Sequence, residues 1–549
     1  MAMSDHHTLL RYYFEVPTNL NRRDFLRSVG GTCSAVAMGA VPAKKPNFVV
    51  ILADDMGFSD ARCYGGDIDT PNLDLLAQKG LRFTQCYSTA RCGPSRSCLL
   101  TGNYAQQTAS DVMTPGNVPD FTKFIPEYLK PLGYRSYHSG KWHMRFATGD
   151  GGVGFDHSYT MLDELRFFTQ NRHEVDGKLL PKPDPGYYST TAIADHAVTF
   201  LRGHGAEHAQ DPFFLFLAFH SPHFPLQAPP ADIEHYQGKF AEGWDTARER
   251  KGQRMLKMGL VNHPIAPLEP AMWTQWNTPD KELIEKIGTG EVARAVPWST
   301  LTAEQKEFQR TKMAIHAAMI TRMDIEIGKV VKQVEAMGAV RDTVILFLSD
   351  NGASSEQLIR GDGHDRNAPA GSAATHLGLG PGWASCSNAP FRLHKSWVNE
   401  GGIASPLIVH WPNGIKDQNK LRHEPCHFVD ILPTLVDLAG GHTSDLAGRS
   451  IAPAFRKDGT APHEFLYFNH SNNRAIRVGD WKLIATGKEG EWGLYDLKKD
   501  RGEQHNLAAA QPDRVKKMAA MWQQKDDEYA RVREAAPPTK KRRMNTGAA

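Results

Sequence analysis

Five runs of apolar, β-branched and aromatic residues punctuate the chain, and each ends in polar residues: Asn47 to Asp55, Tyr134 to His143, Asp211 to His223, Asp342 to Gly352 and Ser405 to Pro412. Near-continuous apolar character predicts strands buried on both faces. Helical patterns lie between them, such as DLLAQKGL and the long AAMITRMDIEIGKVVKQVEAMG. This βαβα order predicts an α/β fold built on a large mixed, mostly parallel sheet with helices on both faces. Ligands of such sheets bind beyond the carboxyl ends of the strands. Those ends carry Asp54-Asp55, Lys141 and His143, His220 and His223, and Asp350-Asn351, so residues far apart in sequence are expected on one edge.

From about 456 the pattern changes to short strands and turns, in EFLYFNH, NRAIRVGDWKLIAT and EWGLYDLKKD, followed by the helical DRVKKMAAMWQQKDDEYARVREA. A catalytic domain over 44–455 and a small C-terminal subdomain over 456–535, an antiparallel sheet with a helix, are therefore expected. Residues 237–305, rich in Trp, Pro and charge, read as an insertion without clear periodicity, of the kind that forms lids or specificity loops. The tail APPTKKRRMNTGAA, 536–549, reads as a disordered, solvated basic segment.

A chain of 549 residues with 40% hydrophobic residues can bury one large core and a smaller second unit. Its 64 basic against 61 acidic residues leave a net charge of +3, which excludes the concentrated positive field of a nucleic-acid binder. At the N-terminus, Arg22-Arg23 precede a small-residue apolar run from Val29 to Val41 and a cleavage-like Val-Pro-Ala. This predicts a twin-arginine signal peptide over 1–43, an export-machinery partner and a periplasmic or secreted bacterial protein. The run is shorter than the ~20 residues of a membrane span, so no integral span is expected. Lipidation at Cys33 fits poorly, because Gly-Gly-Thr precedes it. The remaining cysteines show no dense disulfide spacing, and one bridge at most is expected.

The strand ends supply the candidate chemistry. Asp54-Asp55 alone reads more readily as a helix cap or turn former than as a metal site. The second pair, Asp350-Asn351, adds hard oxygen ligands that suit Ca²⁺ or Mg²⁺ better than zinc, because no His/Cys cluster accompanies it. His143, His223, Lys141 and Lys395 are individually ordinary structural or surface residues. Gathered with the acids on one edge, they would line a pocket for an anionic ester. His220 and His394 are weaker candidates. In the stretch Cys92 to Gly102, CGPSRSCLLTG, Pro94 fits a first helical turn. Cys92 would then sit at a helix N-terminus that lowers its pKa, as a nucleophile or as a buried helix-capping cysteine.

The same stretch resembles the signature of the type I, formylglycine-dependent sulfatases, the arylsulfatase-like branch of the alkaline-phosphatase-like superfamily. It meets every fixed position of CxPxR followed, after two residues, by LLTG. The resemblance extends through PNFVVILADDMGFSD, DTPNLDLLAQKGLRF, GKWHM, SPHFP, LSDNGA, KSWVNEGG and LYDLKKDRGEQHNLA. It implies that a maturation enzyme, reading CxPxR in an unfolded chain, oxidises Cys92 to Cα-formylglycine. Asp54, Asp55, Asp350, Asn351 and modified Cys92 would bind one Ca²⁺, while Arg96 and Lys141 hold an oxygen of the hydrated aldehyde. Asp350 would help deprotonate the attacking hydroxyl and His143 would take the proton of the second one. His223 would protonate the leaving alcohol beside Lys395. Cys98 matches no fixed position and is expected to pack.

The implied activity is sulfuric-ester hydrolysis, on a sulfated small molecule or a polysaccharide. Phosphate or phosphonate monoester hydrolysis on the same scaffold, and an inactive glycan-binding relative, are the alternatives. Many members carry Arg-Val-Pro after EGG, whereas this chain reads Ile403-Ala404-Ser405-Pro406, so no substrate preference carries over.

Overall fold

The computed structural model describes residues 44–111, 118–149, 151–163, 166–272, 279–357, 363–460, 463–537 and 542–543. The signal-peptide reading, with Arg22, Arg23 and Cys33, lies outside them. Eleven strands form the main sheet: β1 (Asn47–Ala53), β2 (Leu81–Tyr87), β3 (Arg135–Lys141), β4 (His157–Met161), β5 (His173–Val175), β6 (Lys178–Leu179), β7 (Phe213–Ala218), β8 (Thr343–Ser349), β9 (Ala404–His410), β10 (Lys420–Arg422) and β11 (Cys426–His427). Their order is β10-β2-β9-β8-β1-β7-β3-β4-β5-β6, with β11 also on β2. From β8 to β4 every pairing is parallel, and β9 runs antiparallel to both β8 and β2. All five predicted strands are present.

Alternation within these apolar runs sorts side chains between two cores. Val49 and Ile51 of β1 join one core, with Ile345 and Phe347 of β8, while Phe48, Val50 and Leu52 join the other, with Val344 and Leu346. The first core is closed by α1 (Pro71–Gln78) through Leu73, by α3 (Ser189–Glu207) through Ile193 and by α5 (Ala303–Ala336) through Ile320. The second is closed by α2 (Cys92–Thr101) through Leu99 and by α7 (Ile431–Leu438) through Leu435. Double coverage is the physical reason the strands carry no polar face. The long helix α5 starts at a capping box, in which the Thr302 hydroxyl accepts from the Gln305 amide at 3.2 Å and Gln305 accepts in return at 3.0 Å.

Within the insertion, α4 (Gly243–Met258) packs against α6 (Pro381–Ser387). Trp244, Trp298 and Trp383 meet edge to face with centroids 4.7 to 5.8 Å apart, so much of this segment is core rather than mobile cover. The C-terminal region forms an antiparallel sheet, β12 (Leu466–His470), β13 (Asn473–Val478), β14 (Trp481–Ala485) and β15 (Gly493–Asp496), with α8 (Pro512–Ala535) against it through Trp522. The basic tail departs from its expected solvation where it is described. Arg542 forms a two-pronged ion pair with Glu127, at 2.8 and 2.9 Å, because that carboxylate and two aromatic faces are there to receive it. None of the described cysteines is bridged, and no helix among the described residues is long and apolar enough to cross a membrane.

A buried ionic cluster joins the two sheets. Glu400 accepts from Lys482 of β14 at 2.9 Å, from Arg501 at 2.7 Å and from Tyr87 of β2 at 2.9 Å. Lys482 also pairs with Glu503 at 2.7 Å, and Glu503 accepts from Asn399. Burial favours the neutral Glu400 carboxyl, yet Lys482, Arg501 and Arg477 outweigh it and hold the group at about 2. Its contribution to stability is therefore full above the unfolded value of about 4.5 and is lost as pH falls through 2. Removing the shared cation would strand two buried carboxylates. Lys482→Met should therefore lower unfolding free energy by about 3–5 kcal/mol in urea denaturation. The exposed Lys499→Met should shift it by less than about 0.5 kcal/mol.

Candidate active site

Four parallel strands deliver their ends to one edge. Asp54 and Asp55 follow β1, Asp350 and Asn351 follow β8, His223 lies beyond β7, and Lys141 closes β3 with His143 two residues on. Cys92 is the first residue of α2, which places Arg96 one turn further along, and Lys395 enters from the loop before β9. All ten residues singled out in the sequence meet here. Of the weaker candidates, His220 Nε2 meets Ser189 Oγ at 3.0 Å, and His394 Nδ1 meets Ser355 Oγ at 3.0 Å and the Lys395 carbonyl at 3.3 Å.

The backbone bends sharply to achieve this convergence. Asp55, Ala90, His143, Leu393 and Ser396 all have φ between 54 and 78°, a left-handed conformation unusual for residues with a Cβ. At Asp55 the bend breaks the strand's alternation, so two successive carboxylates can face one site. Gly352 serves a close approach, since a Cβ there would lie 1.9 Å from the Gly401 carbonyl oxygen. Its amide donates to Gly402 at 3.1 Å, which ties the Asp350 loop to the segment carrying Lys395.

Three carboxylates and three cations share the buried floor. Arg96, fully buried, donates to Asp350 Oδ2 at 2.9 and 3.1 Å, to Asp54 Oδ2 at 3.3 Å and to the Lys141 carbonyl at 3.0 Å. Lys141 Nζ lies 2.6 Å from Asp54 Oδ2, and Lys395 Nζ lies 2.8 Å from Asp55 Oδ1 and Oδ2. Asn351 Nδ2 donates to Asp55 Oδ1 at 2.7 Å. Burial pushes the Asp54 carboxyl up, but Lys141, His223, Arg96 and Lys395 overcome it and hold it well below the ordinary range. For Asp350, burial and the charge on Asp54 prevail and raise it well above that range.

These pairings leave a hard-oxygen set. Asp54 Oδ1 and Asn351 Oδ1 are buried acceptors without a hydrogen-bond partner, while Lys141 and Arg96 occupy Asp54 Oδ2 and Asn351 Nδ2 donates to Asp55. A divalent cation suits such atoms and would also let Asp350 ionise beside Asp54. Asp54, Asp55 and His223 each offer a ligand atom within 4.8 Å of the others, which places His223 closer to the acids than its sequence position indicated.

Cys92 sits above this floor. Burial raises its thiol pKa, yet Lys141, His143 and Lys395 outweigh that and hold it well below the ordinary thiol value, with a hydrogen bond from His143 contributing. Burial alone dominates at Cys98, whose thiol is pushed up, as expected of a packing residue. His143 is exposed at the mouth, and a Cβ on Gly93 would lie 3.8 Å from its Nε2. His223 Nδ1 meets the Phe224 carbonyl at 2.5 Å, which turns Nε2 inward, 3.7 Å from Asp55 Oδ2. Burial and Lys395 lower His223 to about 4.

Sequence reasoning missed Arg91. Its Nη1 lies 3.1 Å from Ser396 Oγ and 3.5 Å from Glu356, so it links the start of α2 to the loops bearing Lys395 and Asp350. The only available signal was its adjacency to Cys92.

A family model described as Sulfatase matches residues 46–441, and one described as N-sulphoglucosamine sulphohydrolase, C-terminal, matches 392–530. An uncharacterized sulfatase of Schizosaccharomyces pombe is 31% identical over 87% of this chain and 93% of its own length. An arylsulfatase of Klebsiella aerogenes is 30% identical over 75% of this chain and 91% of its own. Among solved structures, one described as Ps i-CgsB in complex with k-i-k-neocarrahexaose shares the fold, with a TM-score of 0.63 at 23% identity over 88% of this chain and 93% of that one. With a family model spanning most of its length and its candidate site gathered at the expected strand ends, the chain belongs to the sulfatases, the hydrolases of sulfate esters.

Proposed function

We propose that this sulfatase acts through a Cα-formylglycine made from Cys92 and a Ca²⁺ ion held by Asp54, Asp55, Asp350, Asn351 and the modified residue, after export to the periplasm or beyond. The observation that carries the reading is the contrast between two cysteines of one helix. Cys92 faces Lys141, His143 and Lys395, which stabilise negative charge at its side chain, whereas Cys98 is sealed in apolar core. Hydrated, the aldehyde would supply one hydroxyl whose oxygen bonds to sulfur as the S–O bond to the alcohol breaks, and a second whose deprotonation re-forms the aldehyde as the C–O bond to sulfate breaks, so that water need not attack sulfur. Ca²⁺ supplies Lewis-acid polarisation of the sulfuryl oxygens.

The remaining roles belong to side chains already in place. Arg96 and Lys141 keep Asp54 ionised by occupying its Oδ2, which leaves Oδ1 for the cation. Asp350, whose carboxyl burial raises, is suited to accept a proton from the attacking hydroxyl. His143, exposed and beside the start of α2, takes the proton of the second hydroxyl. His223 gives a proton to the departing alcohol. Burial and Lys395 make its imidazolium a strong acid, and the incoming anion favours that charged form. Lys395, paired with Asp55, adds positive charge where the sulfuryl oxygens develop negative charge. The alcohol released is an aryl or sugar hydroxyl, two of the classes that sulfatase relatives' names describe.

Protein made with a formylglycine-generating maturation enzyme should carry aldehyde at Cys92 and thiol at Cys98 by peptide mass spectrometry; full activity with a thiol at Cys92 would refute the mechanism. Cys92→Ala should lower kcat by more than about 10³-fold without changing the circular-dichroism melting curve. Matched aryl sulfate and aryl phosphate should show a preference for sulfate in kcat/KM; a large preference for phosphate would favour the monoester phosphatase alternative. Chelation should abolish turnover and lower the melting temperature. Ca²⁺ at about 100 times its Kd should restore roughly 2.7 kcal/mol of stability, and Asn351→Ala should blunt that recovery.

A further inference from the structure

The basic run near the C-terminus does more than coat the surface. We infer that Arg542 is a positioning residue for His143, acting through the turn that follows β3; the inference rests on the proton-accepting role proposed for His143. That turn is closed by the Trp142 indole, which donates to the Phe146 carbonyl at 2.6 Å, with His143 at its tip in a left-handed conformation, φ 54°. A left-handed residue with a Cβ persists only where its surroundings over-determine it. Phe124 and Phe146 meet edge to face with centroids 6.1 Å apart, and Trp142 lies 6.3 Å from Phe124.

Arg542 holds this aromatic base. Its guanidinium lies 5.4 Å from both the Phe124 and the Phe146 ring centres, within cation–π range. It forks onto Glu127 at 2.8 and 2.9 Å and donates to the Thr122 carbonyl at 2.7 Å, with only 12% of its side chain exposed. The next residue adds backbone bonds: the Ala147 amide donates to the Arg543 carbonyl at 2.9 Å, and the Arg543 amide donates to Gly151 at 2.5 Å. Arg543 thus lies beside Ala147 and Gly151, shortly after the His143 turn. A planar, permanently charged fork on a carboxylate, within cation–π range of two rings, specifies a geometry that a flexible ammonium cannot copy.

The test uses the full matured chain with Arg542→Ala, Arg542→Lys and Glu127→Gln, the last retaining the arginine if its removal prevents folding. Amide hydrogen exchange should rise selectively over 142–149 in Arg542→Ala, with a smaller rise in Arg542→Lys and Glu127→Gln, while the exchange of β1 and β8 stays unchanged. On an aryl sulfate, kcat should fall roughly tenfold with KM within about twofold. A burst of alcohol release should precede slow turnover, because a misplaced His143 delays only the second step. Partial recovery of kcat in Arg542→Lys relative to Arg542→Ala would support geometric positioning. Unchanged exchange over 142–149 in folded Arg542→Ala, or a fall in kcat that merely tracks a global loss of stability, would overturn the inference. If His143→Ala left kcat intact, the proton role would fall, and selective exchange would still decide whether Arg542 braces the turn.

Discussion

The constraint on which the site depends is charge neutralisation without water. Asp54, Asp55 and Asp350 converge with Arg96, Lys141 and Lys395 where each side chain is almost wholly shielded from solvent. None of these groups could remain ionised alone, since an isolated buried charge costs far more than a fold's net stability. The cluster persists because each cation takes a defined carboxylate oxygen. Arg96 is its centre, reaching Asp54 and Asp350 together with a planar fork. Loss of any partner would therefore alter the ionisation of its neighbours, so the acids and bases of this floor work as one electrostatic unit.

A second set of buried charges keeps the first in register. Glu400 lies in the turn after Lys395 and is gripped by Lys482 and Arg501, so the C-terminal sheet fixes the loop that supplies one of the floor's cations. The contact of Gly352 with the Gly401–Gly402 backbone couples that loop to Asp350. Residues after 456 thereby contribute to the site by rigidity. Their role is to hold Lys395 and the end of β8 at fixed separation.

The strands of the central sheet were legible because burial on both faces leaves continuous apolar runs, as in FVVILA and VILFL. β2 escaped because Arg82, Thr84 and Gln85 interrupt its run; Arg82 is buried all the same, with its charge directed to the Cys63 carbonyl and Asn419. In the site, Asp54, Asp55, Asp350, Asn351, Lys141, His143 and His223 could be placed on one edge from topology alone. Lys395 was gathered with them and Cys92 stood out as a thiol at a helix N-terminus, but the joining of Cys92 to this edge, and Arg96 altogether, needed the family signature. The bent backbone at Asp55 and His143 was beyond reach, as were the Arg91 bridge and the Glu400 cluster, whose partners lie 82 to 313 positions away. Arg542 was misjudged for the same reason: a basic run reads as solvated until the aromatic faces beneath it are known.

If Cys92 is converted as proposed, the helix that begins there would set an order of events for biogenesis. Pro94 and Arg96, two fixed positions of the segment that the proposed maturation enzyme would read, are sealed in the folded protein, and Arg96 is committed to Asp54 and Asp350. A molecule that closes around an unconverted thiol has withdrawn its own recognition signal. Under the proposed maturation, folding and oxidation would be in a race with a single winner per molecule, and the active fraction of a preparation would be decided at synthesis.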